Sequence, residues 1–421
     1  MSEVYQETAL TPLRVASLSG YRDWSWQPSM FKHYPNFLYR YKYEENPLLR
    51  MVELCRIVTS RLNSANQPYI QLNTPSAGNL HPVELYVQIR GIKGIISGIY
   101  HVNAGNGELV LIQEVEREGV ESLVGLQKRC NGFIFLLSTV AFRSEWKYGL
   151  RAFRYCYLDA GHQLGAINAA LKLYGREMTI LSDFDAEAVN EFMAFRGDEF
   201  ICAAMYSGDM SEKSVVAPKK NLMYVAATNY SELSEQTREH IAKSEILKSD
   251  ILELSCEINE EQILKRRSAR FFESESMTNI QVEYFMNILS KSNHSFSCYN
   301  IVLKDGVYKA GVYLNNRCIQ EGHFAATMGS MLVEQSFVKN AEIVSVFCSK
   351  YFSSNKLMQA GAFVHALYLH AEVNALGCSG IGAFYDKKLQ DFLGTQEYIL
   401  YVSVLGVEKK RMQRECENEK N

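Results

Sequence analysis

Two stretches of the chain carry the same long amphipathic helix pattern. The first runs from Arg154 to Tyr174, within RYCYLDAGHQLGAINAALKLYG, and the second from Met358 to Leu376, within MQAGAFVHALYLHAEVNALG. Both are rich in small residues: Ala160, Gly161, Gly165 and Ala166 in one, Ala360, Gly361, Ala362 and Ala366 in the other. Small residues let two helices approach closely. A glycine follows each pattern, Gly175 and Gly377, as at many helix C-termini. A strand-like apolar run precedes each helix: Phe133 to Val140 before Lys147-Tyr148, and Ile343 to Cys348 before Lys350-Tyr351. The parallel points to an internal duplication, although two unrelated α+β domains would show the same periodicity.

Further strands are expected at Val83 to Ile89 and Tyr398 to Leu405. The residues from Ser211 to about Ser244 are polar and contain the breaker Ala217-Pro218-Lys219-Lys220, which marks a linker. Ile246, Leu247, Ile251, Leu252 and Leu254 then return to a helical spacing. The resulting division is an N-terminal domain at 1–212, a linker at 213–244 and a C-terminal domain at 245–421, two units of ordinary domain size.

Composition narrows the function. The chain has 421 residues, 47% hydrophobic and 22% charged, enough for a sizeable core. A formal net charge of −3 gives no electrostatic case for nucleic acid or an anionic membrane. Ten cysteines are scattered without a Cys-x-x-Cys pair or metal-ligand spacing to a histidine, so no metal is expected, and reduced thiols suit a cytoplasmic protein. No signal peptide is visible, and the longest apolar run, from Phe133 to Phe142, is too short to span a bilayer.

Three segments carry candidate chemistry. Arg266-Arg267-Ser268-Ala269-Arg270 places two arginines four apart, on one face if the segment is a helix or its first turn, with a serine between them. Guanidinium forks and a hydroxyl suit an anionic group. Pro75-Ser76-Ala77-Gly78-Asn79-Leu80-His81-Pro82 offers backbone N–H groups without side-chain bulk, and the Asn79 amide can donate and accept at a heterocycle's edge. Gly377-Cys378-Ser379-Gly380-Ile381-Gly382-Ala383-Phe384 is glycine-dense for the same reason, yet it fits neither the dinucleotide fingerprint nor a P-loop. Each segment taken singly is also what an ordinary turn or a solvated surface would show. His81, His101 and His162 read as hydrogen-bonded structural histidines.

In combination, RRSAR, PSAGNLHP, the small-residue helix and GCSGIGAFYDKKLQDFLG resemble the nitroreductase superfamily. QPSMFKHYP, GIYHVNAGNGELVLI and EWKYGLRAFRYCYLDAGH narrow the likeness to the SagB-type dehydrogenases, which include azoline oxidases, and to tandem members with two fused domains. The resemblance covers nearly the whole chain. It implies an α+β fold: two nitroreductase-like domains, each a mixed or antiparallel sheet flanked by helices, fused as an intramolecular pseudo-dimer. It implies FMN held between them. Arg266, Ser268 and Arg270 would hold the phosphate, ribityl chain and pyrimidine edge, Gly380 and Gly382 would approach the reactive edge, and Lys409 and Arg411 would pair with phosphate. Pro75, Ser76, Ala77 and Asn79 would line the other side, and Lys147-Tyr148 would be the catalytic pair. The first half lacks a convincing Arg-x-Ser-x-Arg and a counterpart of GIGAF, and the second lacks the Pro-Ser-Ala-Gly-Asn loop. One flavin site per chain is therefore expected, in a monomer or a homodimer. The implied activity is dehydrogenation of a small-molecule or peptide-derived substrate by hydride transfer to flavin N5. An NAD(P)H-driven nitro or quinone reductase and a non-catalytic partner subunit are the alternatives.

Overall fold

The computed structural model describes residues 1–18, 23–64, 67–251, 256–292 and 295–408. The first half comprises α1 (Ser2–Thr8), α2 (Pro12–Leu18), β1 (Arg40–Lys42), α3 (Pro47–Cys55), β2 (Val58–Ser64), β3 (Gln67–Leu72), β4 (Val83–Arg90), β5 (Gly98–Asn103) and β6 (Glu108–Glu114), and then β7 (Lys128–Thr139), α4 (Ala141–Tyr148), α5 (Ala152–Leu173), β8 (Thr179–Leu181), α6 (Ala186–Phe192) and β9 (Phe200–Ser214). After α7 (Glu235–Ala242) come α8 (Glu260–Lys265), α9 (Asn279–Lys291), β10 (Ser297–Val302), β11 (Gly311–Leu314), β12 (Arg317–Glu321), α10 (Ala325–Met331), β13 (Ile343–Ser349), α11 (Ser354–Val373), β14 (Gly377–Ile381), α12 (Asp386–Leu393) and β15 (Tyr398–Gly406).

A seven-stranded sheet, ordered β1-β6-β5-β4-β7-β9-β8, forms in the first half and a six-stranded sheet, β12-β11-β10-β13-β15-β14, in the second. Apart from β1 the two orders are the same, and in both units the long helix lies between the central strand and a short edge strand. Neighbouring strands in both sheets are antiparallel rather than mixed. The core strands β4 and β13 are buried along their whole length; β13 is largely an apolar run, whereas β4 alternates and buries Glu84 and Gln88 on hydrogen-bond partners. Among the described residues no helix is long and apolar enough to cross a membrane.

α5 and α11 form the centre. Residues 152 to 171 of α5 are all buried, polar Arg154, Asp159, His162, Gln163 and Asn168 included, so the solvent face expected of an amphipathic helix is covered instead. The two helices cross at Gly161 and Gly361: a Cβ built on Gly161 would lie 2.2 Å from the Met358 carbonyl, and one on Gly361 would lie 2.2 Å from the Leu158 carbonyl. Backbone touches backbone there, so the small residues of the pattern are a contact requirement. One hydrophobic cluster, from Leu49 and Phe153 through Leu164 to Phe285, Phe363 and Leu405, continues through both halves.

Three local expectations are corrected. Gly175 does end α5 in a left-handed turn, but Gly377 begins β14, and Ala375 takes the positive-φ position after α11. A side chain at 377 would collide with Ala269 and Glu408, so glycine is held there by packing. Residues 246–251 are not helical: Ile246 and Leu247 are buried in an irregular segment, and the Leu247 amide donates to the Cys202 carbonyl. Leu252 and Leu254 lie outside the described residues. Within 213–244, Lys213 and Ser214 complete β9 and α7 forms with Ser234 as its N-cap, so the stretch is partly regular.

The N-terminal segment straps one half to the other. Arg151 and Arg154, at the start of α5, converge on Asp386 of α12 at 3.0 and 2.6 Å, all three side chains being buried. The Leu10 amide donates to the same carboxylate, and Arg154 also donates to the Thr8 hydroxyl and the Tyr5 carbonyl. Burial alone would raise the Asp386 pKa, but the two guanidinium groups outweigh it and hold the carboxyl below its usual range.

Candidate functional site

A cavity of about 300 Å³ lies between the halves, at the lower edge of the roughly 300–1,000 Å³ range of small-molecule sites. The first half contributes Pro75, Ser76, Ala77 and Gly78 from the loop before β4, Tyr148 from α4, and Tyr155, Leu158 and Asp159 from α5. From the second half come Ser268, Arg270, Val333, Gln335, Gly380, Ile381, Gly382, Ala383 and Tyr401. Eight of the anticipated residues therefore meet: Pro75, Ser76, Ala77, Tyr148, Ser268, Arg270, Gly380 and Gly382.

Backbone geometry shapes the walls. Gly78 has φ +64°, and a Cβ there would strike the Tyr148 hydroxyl at 2.4 Å and approach Lys147 Nζ to 3.1 Å. Only glycine fits a left-handed turn pressed this closely on side chains. A Cβ at Gly380 would lie 2.1 Å from the Tyr401 hydroxyl, and one at Gly382 would lie 2.6 Å from the Tyr155 ring. The wall at these positions is bare backbone backed by tyrosines. Gly380 N–H donates to the Tyr368 hydroxyl at 2.7 Å, which also shares a hydrogen bond of 2.8 Å with Ser268. His162 Nε2 sits 2.9 Å from the Tyr401 hydroxyl. Arg151 donates to the Gly382 carbonyl at 2.7 Å, so the strap also fixes this wall.

The Arg-x-Ser-x-Arg segment is not helical. α8 stops at Lys265, Arg266 leaves it with ψ 122°, and the chain runs extended beside β14 through a Ser268–Cys378 bridge and an Ala269 N–H to Cys378 carbonyl bond of 2.9 Å. In an extended run, residues two apart share a face, so Arg266, Ser268 and Arg270 are aligned by strand geometry instead of a helical turn. Arg270 hydrogen-bonds Ser379 and is the cation among the described lining residues. Arg266 does not line the cavity. Its buried guanidinium donates to the Asn73 and Leu72 carbonyls at 2.6 and 3.1 Å, tying the second half to the end of β3, while Nη1 has no protein partner.

The remaining anticipated residues divide. Asn79 sits in the same loop with φ 60° but does not line the cavity. Lys147 lies behind Gly78 with Nζ 4.7 Å from the Trp24 ring centroid and 5.4 Å from that of Tyr148. Lys409 and Arg411 lie outside the described residues. In the duplicate pair both residues are exposed, Tyr351 at 75%. His81 and His101 are buried against the Ile70 carbonyl and Glu84. Among the described residues no cluster of metal-ligating side chains occurs.

Sequence reasoning missed Tyr155, Tyr401 and Asp159. Asp159 is an acidic residue inside a wholly buried helix. Its carboxyl receives hydrogen bonds from the Ser76 side chain and the Ala77 amide, while Oδ2 is buried without a partner. Burial dominates and pushes its pKa up to about 7, against the smaller opposing effects of Ser76, Ala77 and Arg56.

No family profile matches the chain. A protein of Methanocaldococcus jannaschii provisionally named a nitroreductase is 30% identical over 91 residues, which are 21% of this chain and 46% of that protein. The match thus spans about half the length of that relative. A crystal structure from Anabaena variabilis, also provisionally named a nitroreductase, superposes over 97% of this chain and 99% of its own with a TM-score of 0.79 at 21% identity. That likeness establishes the fold as nitroreductase-like over the full length. A similarly named protein of Desulfovibrio desulfuricans in complex with FMN matches 36% of this chain and 86% of its own at 15% identity, with a TM-score of 0.29.

Proposed function

We propose that the chain is an FMN-dependent oxidoreductase of nitroreductase type, a dehydrogenase that oxidises a small-molecule or peptide-derived substrate. The observation that carries this is the cavity itself: a loop with bare backbone from one half faces an Arg-x-Ser-x-Arg segment and a glycine strand end from the other. The residues fit the cofactor. Glycine at 78, 380 and 382 leaves flat walls for a planar ring, Arg270 with Ser268 suits its anionic tail, and the orphaned Arg266 Nη1 is a buried donor beside that segment.

When bound, the flavin supplies the hydride-accepting centre. This chain's own residues bind and orient. Arg270 and Ser268 hold the anionic and polyol end, with Lys409 and Arg411 assigned by resemblance to phosphate. Pro75, Ser76, Ala77 and Asn79 form the loop that covers the ring, and Gly380 and Gly382 let it approach the backbone. Tyr148 closes the wall beside Gly78, and Lys147 behind it is the base the resemblance points to. Its Nζ stands over the Trp24 ring, 4.7 Å from the centroid. The two halves, 1–212 and 245–421, then act as a fused pseudo-dimer with one flavin per chain, in a cytoplasmic monomer or homodimer.

The test is a visible spectrum with flavin stoichiometry after reconstitution with FMN. One FMN per chain is expected for wild type and marked loss for Arg270→Ala. A colourless wild type refutes the reading, and two flavins per chain refute the single-site part of it. Rapid bleaching of the bound flavin by NADH or NADPH would favour a nicotinamide-driven reductase over a dehydrogenase.

A further inference from the structure

Among the described residues, Asp159 is the acidic side chain that lines the cavity between the halves. It stands in the middle of α5 and is 7% exposed. Ser76 accepts the His81 amide at 3.0 Å, which leaves its own proton for the Asp159 carboxyl. The Ala77 amide donates to the same carboxyl. Both donors belong to the covering loop. Oδ2 is buried and has no partner in the protein, yet its residue forms part of the cavity wall. An unpaired buried carboxyl oxygen is costly unless something in the cavity meets it.

We propose that Asp159 is the proton-exchanging group of this cavity, and that its carboxyl carries the proton that accompanies each two-electron transfer. The inference rests on the flavin reading above and deepens it. In the dehydrogenase direction a substrate C–H bond breaks and its electron pair leaves as hydride to the bound flavin, which is reduced. The adjacent substrate N–H or O–H bond breaks with its electrons forming the new double bond. Its proton forms an O–H bond on the Asp159 carboxyl and is later released to water, so the substrate is oxidised by two electrons and two hydrogens. In the opposite direction the protonated carboxyl is the donor.

The surroundings suit a group that switches near neutrality. From the other elements packed on Asp159, Arg56 after α3 is the charge that favours the carboxylate, and Tyr401 from β15 is a neutral phenol whose own ionisation burial suppresses. Cys156 and Tyr155 on α5 are also held protonated by burial. Ser268 and Arg270 face the same cavity from the second half. Burial outweighs Ser76, Ala77 and Arg56, so the carboxyl titrates at about 7 and both forms are available to exchange a proton. Lys147, by contrast, is not among the residues that line the cavity, although its Nζ approaches Gly78.

Two measurements test this on the full chain. In flavin-free protein, infrared difference spectra should show a protonated-carboxyl band that titrates with a midpoint at about 7 and is missing from Asp159→Asn. In the FMN-loaded protein, the midpoint potential should show a break in its slope against pH near neutrality, and Asp159→Asn should lose the break while retaining flavin. An Asp159→Asn protein with normal flavin content and an unchanged break overturns the proposal, as does a break that disappears in Lys147→Ala instead. Absence of the band from wild type also overturns it. A wild type that takes up no flavin removes the oxidoreductase reading and this proposal together, and that outcome is visible as missing colour before any variant is compared.

Discussion

Replacing Gly161 by alanine probes the contact on which the whole arrangement depends. The new methyl would meet the Met358 carbonyl oxygen at 2.2 Å, the Gly361 Cα at 2.8 Å and the Ala362 nitrogen at 2.9 Å. Ordinary contact begins near 3.4 Å, and all three atoms are backbone, so no rotamer change relieves the clash. The helices must separate by about 1 Å, and overpacking of this kind costs roughly 1–3 kcal/mol. Alanine's better helix propensity returns up to about 1 kcal/mol. The expected net effect is a destabilisation of about 1–2 kcal/mol, seen as a lower urea midpoint with an unchanged slope. Gly361→Ala should behave the same way, because its methyl meets the Leu158 carbonyl. The double variant should cost less than the two single effects added, since one separation relieves both clashes. Flavin affinity should fall in step, because α5 carries Tyr155, Leu158 and Asp159 into the cavity. A Gly161→Ala protein as stable as wild type, or more so, would refute the reasoning and mean that the helices do not touch.

Asp386→Asn leaves two buried guanidinium groups facing an uncharged amide, and losing one partner of a buried ion pair costs roughly 3–5 kcal/mol; a loss below about 1 kcal/mol in chemical denaturation would contradict the strap described for residues 1–10. Asp159→Asn should stabilise the protein above neutrality. The folded carboxyl holds its proton up to about pH 7 while the unfolded one releases it at 3.8, so wild type loses stability as pH rises through that window. The loss is on the order of 4 kcal/mol as an upper bound, and denaturation curves should converge in acid. Gly78→Ala should spare global stability but lower FMN retention, because its methyl strains a left-handed turn and pushes the Tyr148 hydroxyl into the cavity; unchanged retention would show that the loop does not cover the ring.

The two long helices were legible from their periodicity and their small residues, and their burial on every side was not, because α5 carries polar Asp159, Gln163 and Asn168 that suit a solvent face equally well. The segments that meet at the cavity were legible as types, glycine-dense or arginine-bearing, and their extended geometry was not. Arg266 shows why: four-residue spacing fits a helix, and only the pairing of Ser268 with Cys378 reveals a strand-like run. The same gap hid the tether from Arg266 to Leu72 and Asn73, since nothing local to either segment encodes a contact across nearly two hundred residues. Residues 246–251 misled because Ile246 and Leu247 are buried outside any helix, and helical spacing arises by coincidence in short apolar runs. Asp159 was not singled out, because an acid fits the polar face of an amphipathic helix, and its meaning required the cavity.

The covalent link between the two halves has a consequence for how the site responds to dilution. A cavity shared by separate subunits vanishes when the protein falls below its dissociation constant, and ligand affinity then depends on protein concentration. Here Ser76 and Gly380 belong to one polypeptide, so their encounter is intramolecular and its effective concentration is set by the connecting chain. Occupancy should follow a simple hyperbola at any protein concentration, with no half-of-sites behaviour.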